Sequence, residues 1–254
     1  MNIEAMQARL ESLRGHIGFY VHDTVTGEKL DYHADEPIVA ASVIKLCVLT
    51  EAFRQKEAGL LDFNETVQIK ASDKKPSCGA LTYMHNGLEV TIGDLATLMI
   101  ILSDNTATNL LIDRLGTDSI NRSMDELGLS GKTQCRRKLF EPQLSAQGIQ
   151  NHVTAADIGL LLEKMLYGEA VSPEASAEML KILKDQRLNG KMPFHLKPRG
   201  IVCAHKTGED YDDGITHDVG IIYAEHPVIF CFLAEGTDVP DAERAMQDLA
   251  LMAI

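Results

Sequence analysis

Strand-like segments occur near the two ends of this chain, and the long middle part has no comparable ones. Two of them flank turn-forming residues at 24–27 and predict a hairpin, and three more follow one another near the other end. The predicted strands cover residues 17–22, 29–33, 201–207, 219–223 and 228–233. We therefore predict that the two ends of the chain build one antiparallel sheet of five strands.

The middle of the chain carries helical periodicity instead. Thr91 and Thr154 fit helix N-caps, with Asp94 and Asp157 three residues on in the capping-box position. The predicted helices cover residues 42–58, 92–102, 106–115, 117–127, 155–166 and 173–184. Amphipathic patterns also predict a helix at each end of the chain, over residues 3–13 and 241–253.

These patterns predict an α/β + α fold, in which terminal helices flank the five-stranded antiparallel sheet and an all-helical domain is inserted. Residues 1–36 and 196–254 form the two parts of the sheet domain, and residues 37–195 form the helical domain. The chain shows no internal repeat and no low-complexity linker, which favours interleaved domains over separate ones in series.

Charge and hydropathy limit the partners that this chain can have. The formal net charge of -13 argues against nucleic acid and anionic membrane surfaces, because both require a basic patch. No stretch approaches the ~20 apolar residues of a membrane span, and residues 1–4 do not begin an export signal. We expect a cytoplasmic protein, or a secreted or periplasmic one whose leader was removed. With no heptad pattern, we expect a monomer.

The five cysteines are odd in number, widely separated and without the spacing of metal ligands. We interpret them as reduced and mostly buried thiols, and we expect neither a metal nor a cofactor.

Ser42 and Lys45 form the first candidate catalytic pair. Three residues apart on a helix, they lie on one face, where the amine can hydrogen-bond the hydroxyl and relay its proton. Residues 38–49 are mostly apolar, so the lysine would be partly desolvated and its pKa could fall. The spacing is common by itself, so other segments must support it.

Three further segments carry polar groups that suit the same chemistry. Taken alone, each segment has an ordinary structural interpretation. Ser103-Asp104-Asn105 fits a helix N-cap, and Lys206-Thr207-Gly208 fits the exit from a strand. The segment from Glu141 to Ser145 fits an ordinary surface loop.

Together with Ser42 and Lys45, these segments resemble the class A β-lactamases and their penicillin-recognising serine relatives. Their order and spacing agree with that family, and the resemblance runs through most of the chain. Other matching segments are residues 18–33, 88–91, 105–111 and 220–222. The resemblance implies the β-lactamase/transpeptidase fold and a small-molecule substrate, which is a β-lactam or a peptide-like amide or ester.

The resemblance also implies a role for each residue of the motifs. Ser42 is the nucleophile that accepts the acyl group, Lys45 is its proton partner, and Ser103 passes a proton to the leaving nitrogen. Asn105 contacts a substrate amide, and the Lys206-Thr207-Gly208 segment binds a substrate carboxylate. The backbone N–H groups of Ser42 and Glu209 form the oxyanion hole.

Glu141 is the residue that favours hydrolysis over stable acylation. A carboxylate in this loop can activate water against the acyl-enzyme, and transpeptidases resembling this family generally lack it. The family pattern places an asparagine where this chain has Ser145, whose hydroxyl can still hydrogen-bond but is shorter, which argues against rapid deacylation.

Two other departures concern substrates that carry a negative charge. Glu209, followed by three aspartates at 210, 212 and 213, adds negative charge where relatives carry small or neutral residues. Many relatives also place an arginine just before the strand that begins at Val219, where this chain has His217 and Asp218. His217, Lys191 or Arg199 could replace that arginine, although a surface position is the favoured interpretation of His217.

The leading hypothesis is a class A-type β-lactamase that acylates Ser42 and hydrolyses the β-lactam amide with Glu141. One alternative is a peptidase or esterase of the same fold that acts on a D-Ala-D-Ala-type end, with weak β-lactamase activity. A second alternative is a penicillin-binding sensor that acylates without hydrolysis, although such a sensor has no use for Glu141.

Overall fold

One antiparallel sheet of five strands joins the two ends of the chain, as predicted. The computed structural model describes residues 1–254. The strands are β1 (His16–Asp23), β2 (Lys29–Tyr32), β3 (Ile38–Val39), β4 (Thr66–Gln68), β5 (Glu89–Thr91), β6 (His152–Val153), β7 (Val202–Asp210), β8 (Ile215–Tyr223) and β9 (Pro227–Glu235). The sheet has the order β2-β1-β9-β8-β7, so the first strand pairs with the last and β7 is an edge.

The chain also forms nine α-helices. They are α1 (Ile3–Glu11), α2 (Lys45–Glu57), α3 (Ile92–Ile101), α4 (Asn105–Leu115), α5 (Thr117–Glu126), α6 (Pro142–Ala146), α7 (Ala155–Leu166), α8 (Pro173–Lys184) and α9 (Val239–Met252). Of these, α1, α7, α8 and α9 contact this sheet. The predicted helices are confirmed to within a few residues at their ends, and the five-residue α6 was not predicted. None of the nine combines the length and apolarity that would be needed to cross a bilayer.

The sheet is buried on both faces because its side chains alternate between two apolar layers. Phe230 and Phe232 of β9 pack with Phe19 of β1 and with α1 and α9, and the rings of Phe19 and Phe230 meet edge to face at 5.2 Å. The intervening Cys231 and Leu233 belong to the core of the helical region. A strand buried on both faces is therefore almost continuously apolar, as β9 is.

Helix α2 lies at the centre of the helical region, and most of its residues are buried. The predicted helix over residues 42–58 is divided, because a 3₁₀ turn at Ala41–Ile44 precedes α2. The region also contains two short ladders, β3 with β6 and β4 with β5, where no strand comparable to those of the sheet was expected. The domain boundaries at residues 36 and 195 stay a prediction.

The two predicted helix caps differ in detail. Thr91 and Asp94 form the reciprocal capping box at the start of α3. Thr154 accepts from the Asp157 N–H, but the Asp157 carboxylate accepts hydrogen bonds from Ser130 and Thr133. The Asp157 carboxylate therefore does not complete the second capping box, because Ser130 and Thr133 of the preceding loop donate to it instead.

Gly220 of β8 permits the close approach of β7. A Cβ at this position would lie 2.3 Å from the Ala204 carbonyl oxygen and 2.6 Å from the His205 Cβ. Both neighbours belong to β7 and directly precede Lys206, so any larger residue would push that strand away.

We predict that Gly220→Ala lowers the free energy of unfolding by about 1–3 kcal/mol, because the strand must shift to relieve the clash. Urea unfolding followed by circular dichroism measures this change. Gly190→Ala is the matched control, since no atom lies within 4 Å of its added Cβ, and it should change stability by less than about 0.5 kcal/mol. Equal effects of the two substitutions would contradict the prediction.

Candidate functional site

A cleft of about 520 Å³ is lined by residues of the helical region and of the edge strand β7. Five of the predicted site residues line it: Ser42, Asn105, Glu141, Ser145 and Glu209. Five others are buried and are not among the lining residues: Lys45, Ser103, Lys206, Thr207 and Gly208. The fold therefore brings together residues that are far apart in the sequence.

Gly208 allows β7 to pack closely against the turn that carries Ser42. A Cβ on Gly208 would lie 3.2 Å from Val43 Cγ2 and 3.0 Å from His217 Cδ2, both tighter than ordinary contacts. Glycine therefore suits the position after Lys206 and Thr207, because a residue without a side chain lets β7 approach the 3₁₀ turn this closely.

Lys45 is fully buried and its ammonium has three hydrogen-bond acceptors. Nζ lies 2.7 Å from the Ser103 carbonyl oxygen, 3.0 Å from Ser103 Oγ and 2.9 Å from Asn105 Oδ1. The hydrogen bond to Ser42 Oγ that the spacing suggested is not formed, because Nζ is turned toward these three oxygens instead. Burial, and then repulsion from Lys206, hold the pKa of Lys45 well below its usual value.

Lys206 reaches the same hydroxyl from the opposite side. Its Nζ donates to Ser103 Oγ at 3.0 Å and to the Thr207 carbonyl oxygen at 2.6 Å. Burial lowers the pKa of Lys206 to about 7, against the opposing attraction of Asp218. One of two buried lysines can therefore be neutral close to neutral pH.

The Ser103 hydroxyl accepts hydrogen bonds from both lysines, which occupies its two lone pairs. Its own proton must then point to a third direction, away from both amines. This hydroxyl can receive a proton from an amine as it gives up its own, which is the arrangement that a proton shuttle requires.

Three non-glycine residues at or next to the predicted catalytic segments have backbone φ angles in the left-handed region, as does Ser77, which lines the cleft with a φ of 72°. Ala41, just before Ser42, has a φ of 41°, Ser103 has 53°, and Phe140, just before Glu141, has 58°. Such conformations cost of order 1–3 kcal/mol each and persist only where the surroundings impose them. The strain is placed at or next to the three predicted catalytic segments.

A buried hydrogen-bonded pair that the sequence analysis missed lies behind Lys206. His205 Nδ1 is 2.8 Å from Asp218 Oδ1, and both side chains are fully buried. The Asp218 carboxylate also accepts from the Met192 N–H. Asp218 attracts the Lys206 ammonium, so it offsets part of the cost of burying that charge. The alternation of the two strands places these groups together, and no local motif predicts it.

Two asparagines that the sequence analysis did not single out as site residues position the loop of Glu141. Asn109 bonds both the N–H and the carbonyl oxygen of Leu139, each at 2.8 Å. Asn151 accepts from the N–H groups of Arg136 and Arg137, and donates to the Arg137 carbonyl oxygen. Such buried amides satisfy backbone groups that a loop would otherwise leave unpaired.

Glu141 directly precedes helix α6 in this loop, and Ser145 lies within the helix. Glu141 Oε2 accepts from the Lys138 N–H at 2.9 Å, which orients the carboxylate. Ser145 Oγ accepts from Arg137 Nη2 at 3.1 Å and from Gln150 Nε2 at 2.9 Å. Both lone pairs of Ser145 are therefore used, and its hydroxyl can only donate toward the cleft.

None of the three residues considered as replacements for the family arginine offers a free cation in the cleft. His217 is fully buried, so the expectation of a surface position is wrong. Its Nε2–H donates to the Val39 carbonyl oxygen, and its Nδ1 accepts from the Ala234 N–H. These bonds require a neutral ring, and burial lowers the pKa of His217 to about 4.

The other two basic candidates are also excluded as free cations of the cleft. The Lys191 ammonium is bonded to the Gly208 carbonyl oxygen and to two glutamates, and Arg199 is exposed on a 3₁₀ turn away from the lining residues. Arg137 is the only basic side chain that lines the cleft, and it has four hydrogen-bond partners already.

Negative charge dominates the rim of the cleft. Asp210 and Asp213 line it with Glu209 and Glu141. Burial, and then repulsion from Asp213 and Asp212, raise the pKa of Asp210 above its usual value. No group of three or more His, Cys, Asp or Glu side chains is arranged to hold a metal ion.

We predict that stability depends on pH through Lys206. Its pKa is about 7 in the folded protein and ordinary in the unfolded chain, so the unfolded state binds more protons between these values. Stability should therefore rise from pH 7 to pH 8.5, by at most about 1.4 kcal/mol per pH unit for this group.

Urea unfolding of the wild type and of Lys206→Met at several pH values measures this effect. The slope of the unfolding free energy against pH should be smaller in Lys206→Met. This variant has lost the titrating group and its repulsion of Lys45. Lys197→Met, a change at an exposed lysine, should keep the wild-type slope. Equal slopes in all three proteins would be evidence against a depressed lysine pKa.

Comparisons with known proteins agree with the resemblance seen in the motifs. The family model described as the β-lactamase enzyme family matches residues 3–254. β-Lactamase CARB-3 of Pseudomonas aeruginosa is 25% identical over 238 residues, which cover 92% of this chain and 81% of that protein. β-Lactamase 3 of Bacillus cereus is 28% identical over 243 residues, which cover 93% of this chain and 74% of that protein.

Solved structures show the same relationship. A β-lactamase from Sphaerobacter thermophilus superposes with a TM-score of 0.89 at 30% identity, covering 99% of this chain and 95% of that one. A PBP-A mutant in an acyl-enzyme complex with penicillin G superposes with a TM-score of 0.86 at 26% identity, covering 98% of this chain and 92% of that one. These likenesses support a β-lactamase-like serine hydrolase with a small-molecule substrate. The chain therefore belongs to the β-lactamase enzyme family.

Proposed function

We propose that this protein is a class A-type β-lactamase that acylates Ser42 and releases the product with water activated by Glu141. The observation that carries the proposal is the Ser103 hydroxyl, which lies 3.0 Å from both buried lysine amines behind the cleft that Ser42 lines. Few structural roles would place two buried lysine amines around one hydroxyl, since burying their charged forms costs free energy.

In the acylation step, Ser42 Oγ attacks the carbonyl carbon of the substrate amide. An oxygen–carbon bond forms, and the carbon–nitrogen bond breaks. Lys45, whose depressed pKa favours a neutral amine, takes the Ser42 proton, and Ser103 delivers a proton to the leaving nitrogen. The missing Lys45–Ser42 bond does not oppose this role, because such contacts often tighten only when substrate binds.

Two backbone donors stabilise the negative oxygen of the tetrahedral intermediate. They are the N–H groups of Ser42 and Glu209, and losing one such donor commonly costs about 2.7–4 kcal/mol. Asn105 lines the cleft beside them and contacts the substrate amide. Lys206 and Thr207 bind the substrate carboxylate near the Gly208 backbone, and Lys206 is most effective when protonated.

Deacylation uses Glu141 as the base. Its carboxylate takes a proton from water, the water oxygen attacks the ester carbon, and the Ser42 oxygen leaves with a proton. Ser145, with both lone pairs occupied, can donate to the water but cannot accept from it. We therefore expect deacylation to be slower than in relatives with asparagine at this position.

The test is the reaction of wild type and Glu141→Gln with benzylpenicillin, followed by intact-protein mass spectrometry and by loss of the drug. Wild type should consume many equivalents of drug through a transient adduct. Glu141→Gln should acylate, accumulate the adduct and turn over at least about 100-fold more slowly, because the general base is lost.

Two controls accompany this experiment. Ser42→Ala should form no adduct, and Glu225→Gln, a change at an exposed glutamate away from the cleft, should behave as wild type. Unchanged turnover in Glu141→Gln would remove Glu141 from the mechanism. An adduct that persists for hours in the wild type would instead indicate a penicillin-binding sensor.

A peptidase or esterase of the same fold is the second candidate. The acidic rim and the lack of a free arginine in the cleft favour it, because both reduce attraction for a penicillin carboxylate. The similarity to PBP-A is compatible with this alternative. Release of D-Ala from a model peptide at a higher kcat/KM than that for benzylpenicillin would establish it.

We also predict that the rim charges weaken the binding of anionic substrates. The Asp210→Asn/Asp213→Asn double variant should raise kcat/KM for benzylpenicillin about two- to fivefold at low ionic strength, and the gain should shrink with added salt. Steady-state kinetics at two salt concentrations measure this. Asp31→Asn, on the opposite edge strand, should have no effect. A gain that does not depend on salt would contradict an electrostatic cause.

A further inference from the structure

We propose that Lys191 is a positioning residue that holds and polarises the peptide unit between Gly208 and Glu209, and so strengthens the Glu209 N–H as an oxyanion donor. This inference rests on the proposed function, since it concerns the same acylation step. Neither the motifs nor the comparisons give Lys191 such a role.

Lys191 comes from the connection between α8 and β7, and its side chain is only 6% exposed. Its Nζ donates to the Gly208 carbonyl oxygen at 3.0 Å. It also lies 3.2 Å from Glu209 Oε2 and 3.6 Å from Glu243 Oε1. Lys191 does not line the cleft, so it acts from behind the strand and not on the substrate.

The alternation of β7 shows which way the two ends of this peptide unit point. The Ala204 carbonyl oxygen lies against Gly220 of β8, whereas the His205 carbonyl oxygen accepts from Gln186 outside the sheet. Backbone groups of successive residues in a strand point to opposite sides. The Gly208 C=O therefore points toward β8, and the Glu209 N–H points to the free edge of the sheet.

The Gly208 C=O and the Glu209 N–H belong to one planar, conjugated unit. A cation bonded to the oxygen draws electron density from the nitrogen, which makes the N–H a stronger donor. The bond also resists rotation of the peptide, and this matters because glycine restricts its backbone least. Lys191 and the oxyanion would thus bind opposite ends of the same dipole.

A second contact fixes Glu209 itself. Its carboxylate is bonded by Lys191 and by the Tyr211 hydroxyl at 3.0 Å. Burial alone would raise the pKa of Glu209, but Lys191 and these hydrogen bonds outweigh it and lower the pKa. Glu243 of α9 ties the same lysine to Thr216 of β8. Residue 209 is therefore held through both its backbone and its side chain.

The first experiment measures the acylation rate by benzylpenicillin in Lys191→Met and Lys191→Arg. Lys191→Met should acylate about tenfold more slowly, less than the 10²–10³-fold that follows loss of a whole oxyanion donor. Lys191→Arg, which keeps a cation, should recover most of the rate. Lys197→Met, at an exposed lysine in the same connection, should acylate as wild type.

The second experiment reads the oxyanion hole directly. In a Glu141→Gln background, which traps the acyl-enzyme, infrared difference spectra report the stretching frequency of the ester carbonyl. A weaker Glu209 N–H donor leaves the ester carbonyl with more double-bond character. Lys191→Met should therefore shift the carbonyl band to higher wavenumber, and Lys191→Arg should shift it less. A purely structural role of Lys191 would not move this band.

If Lys191→Met folds poorly because Glu209 and Glu243 lose their partner, the Lys191→Met/Glu243→Gln variant reduces the unpaired charge and serves in its place. A wild-type rate and an unshifted band in a folded variant would overturn the inference. An absence of acylation in the wild type would instead overturn the proposed function, so the two failures can be told apart.

Discussion

The structure depends on burying two lysines around one hydroxyl. Lys45 and Lys206 both donate to Ser103, and neither has a carboxylate in direct contact. Their burial is made tolerable by carbonyl and amide oxygens at hydrogen-bond distance and by Asp218, which is itself paired with His205. The depressed lysine pKa values follow from this arrangement, and in the proposed mechanism they allow the site to move protons at neutral pH.

A second constraint is the position of the loop that carries Glu141. The chain there contains only the five-residue α6, so its geometry comes from side chains outside it. Asn109 reaches it from α4 and Asn151 from the loop's far end, and each bonds backbone groups on both its oxygen and its nitrogen. A carboxylate can be held in place by a loop when buried amides replace the missing secondary structure.

The sequence predicted the sheet, the main helices and the residues that meet at the cleft, because alternation, helical periodicity and short motifs are local signals. It could not predict the protonation of His217, which depends on backbone groups of Val39 and Ala234. The same holds for the partners of Lys45 and for Lys191, whose contacts come from distant parts of the chain. Such details arise only when segments that are distant in the sequence come together in the folded chain. The pairing of the two chain ends is the most distant of these contacts.

That pairing has a consequence for the order in which the molecule can assemble. Strand β1 pairs along its whole length with β9, about 200 residues later, and the turn of Ser42 packs beside β7. At 5–20 residues per second, the opening hairpin waits roughly 10–40 s on the ribosome before its partner strand is made. During that time the edge of β1 is open to wrong partners, so the nascent chain depends on the helical region, or on a chaperone, to cover it.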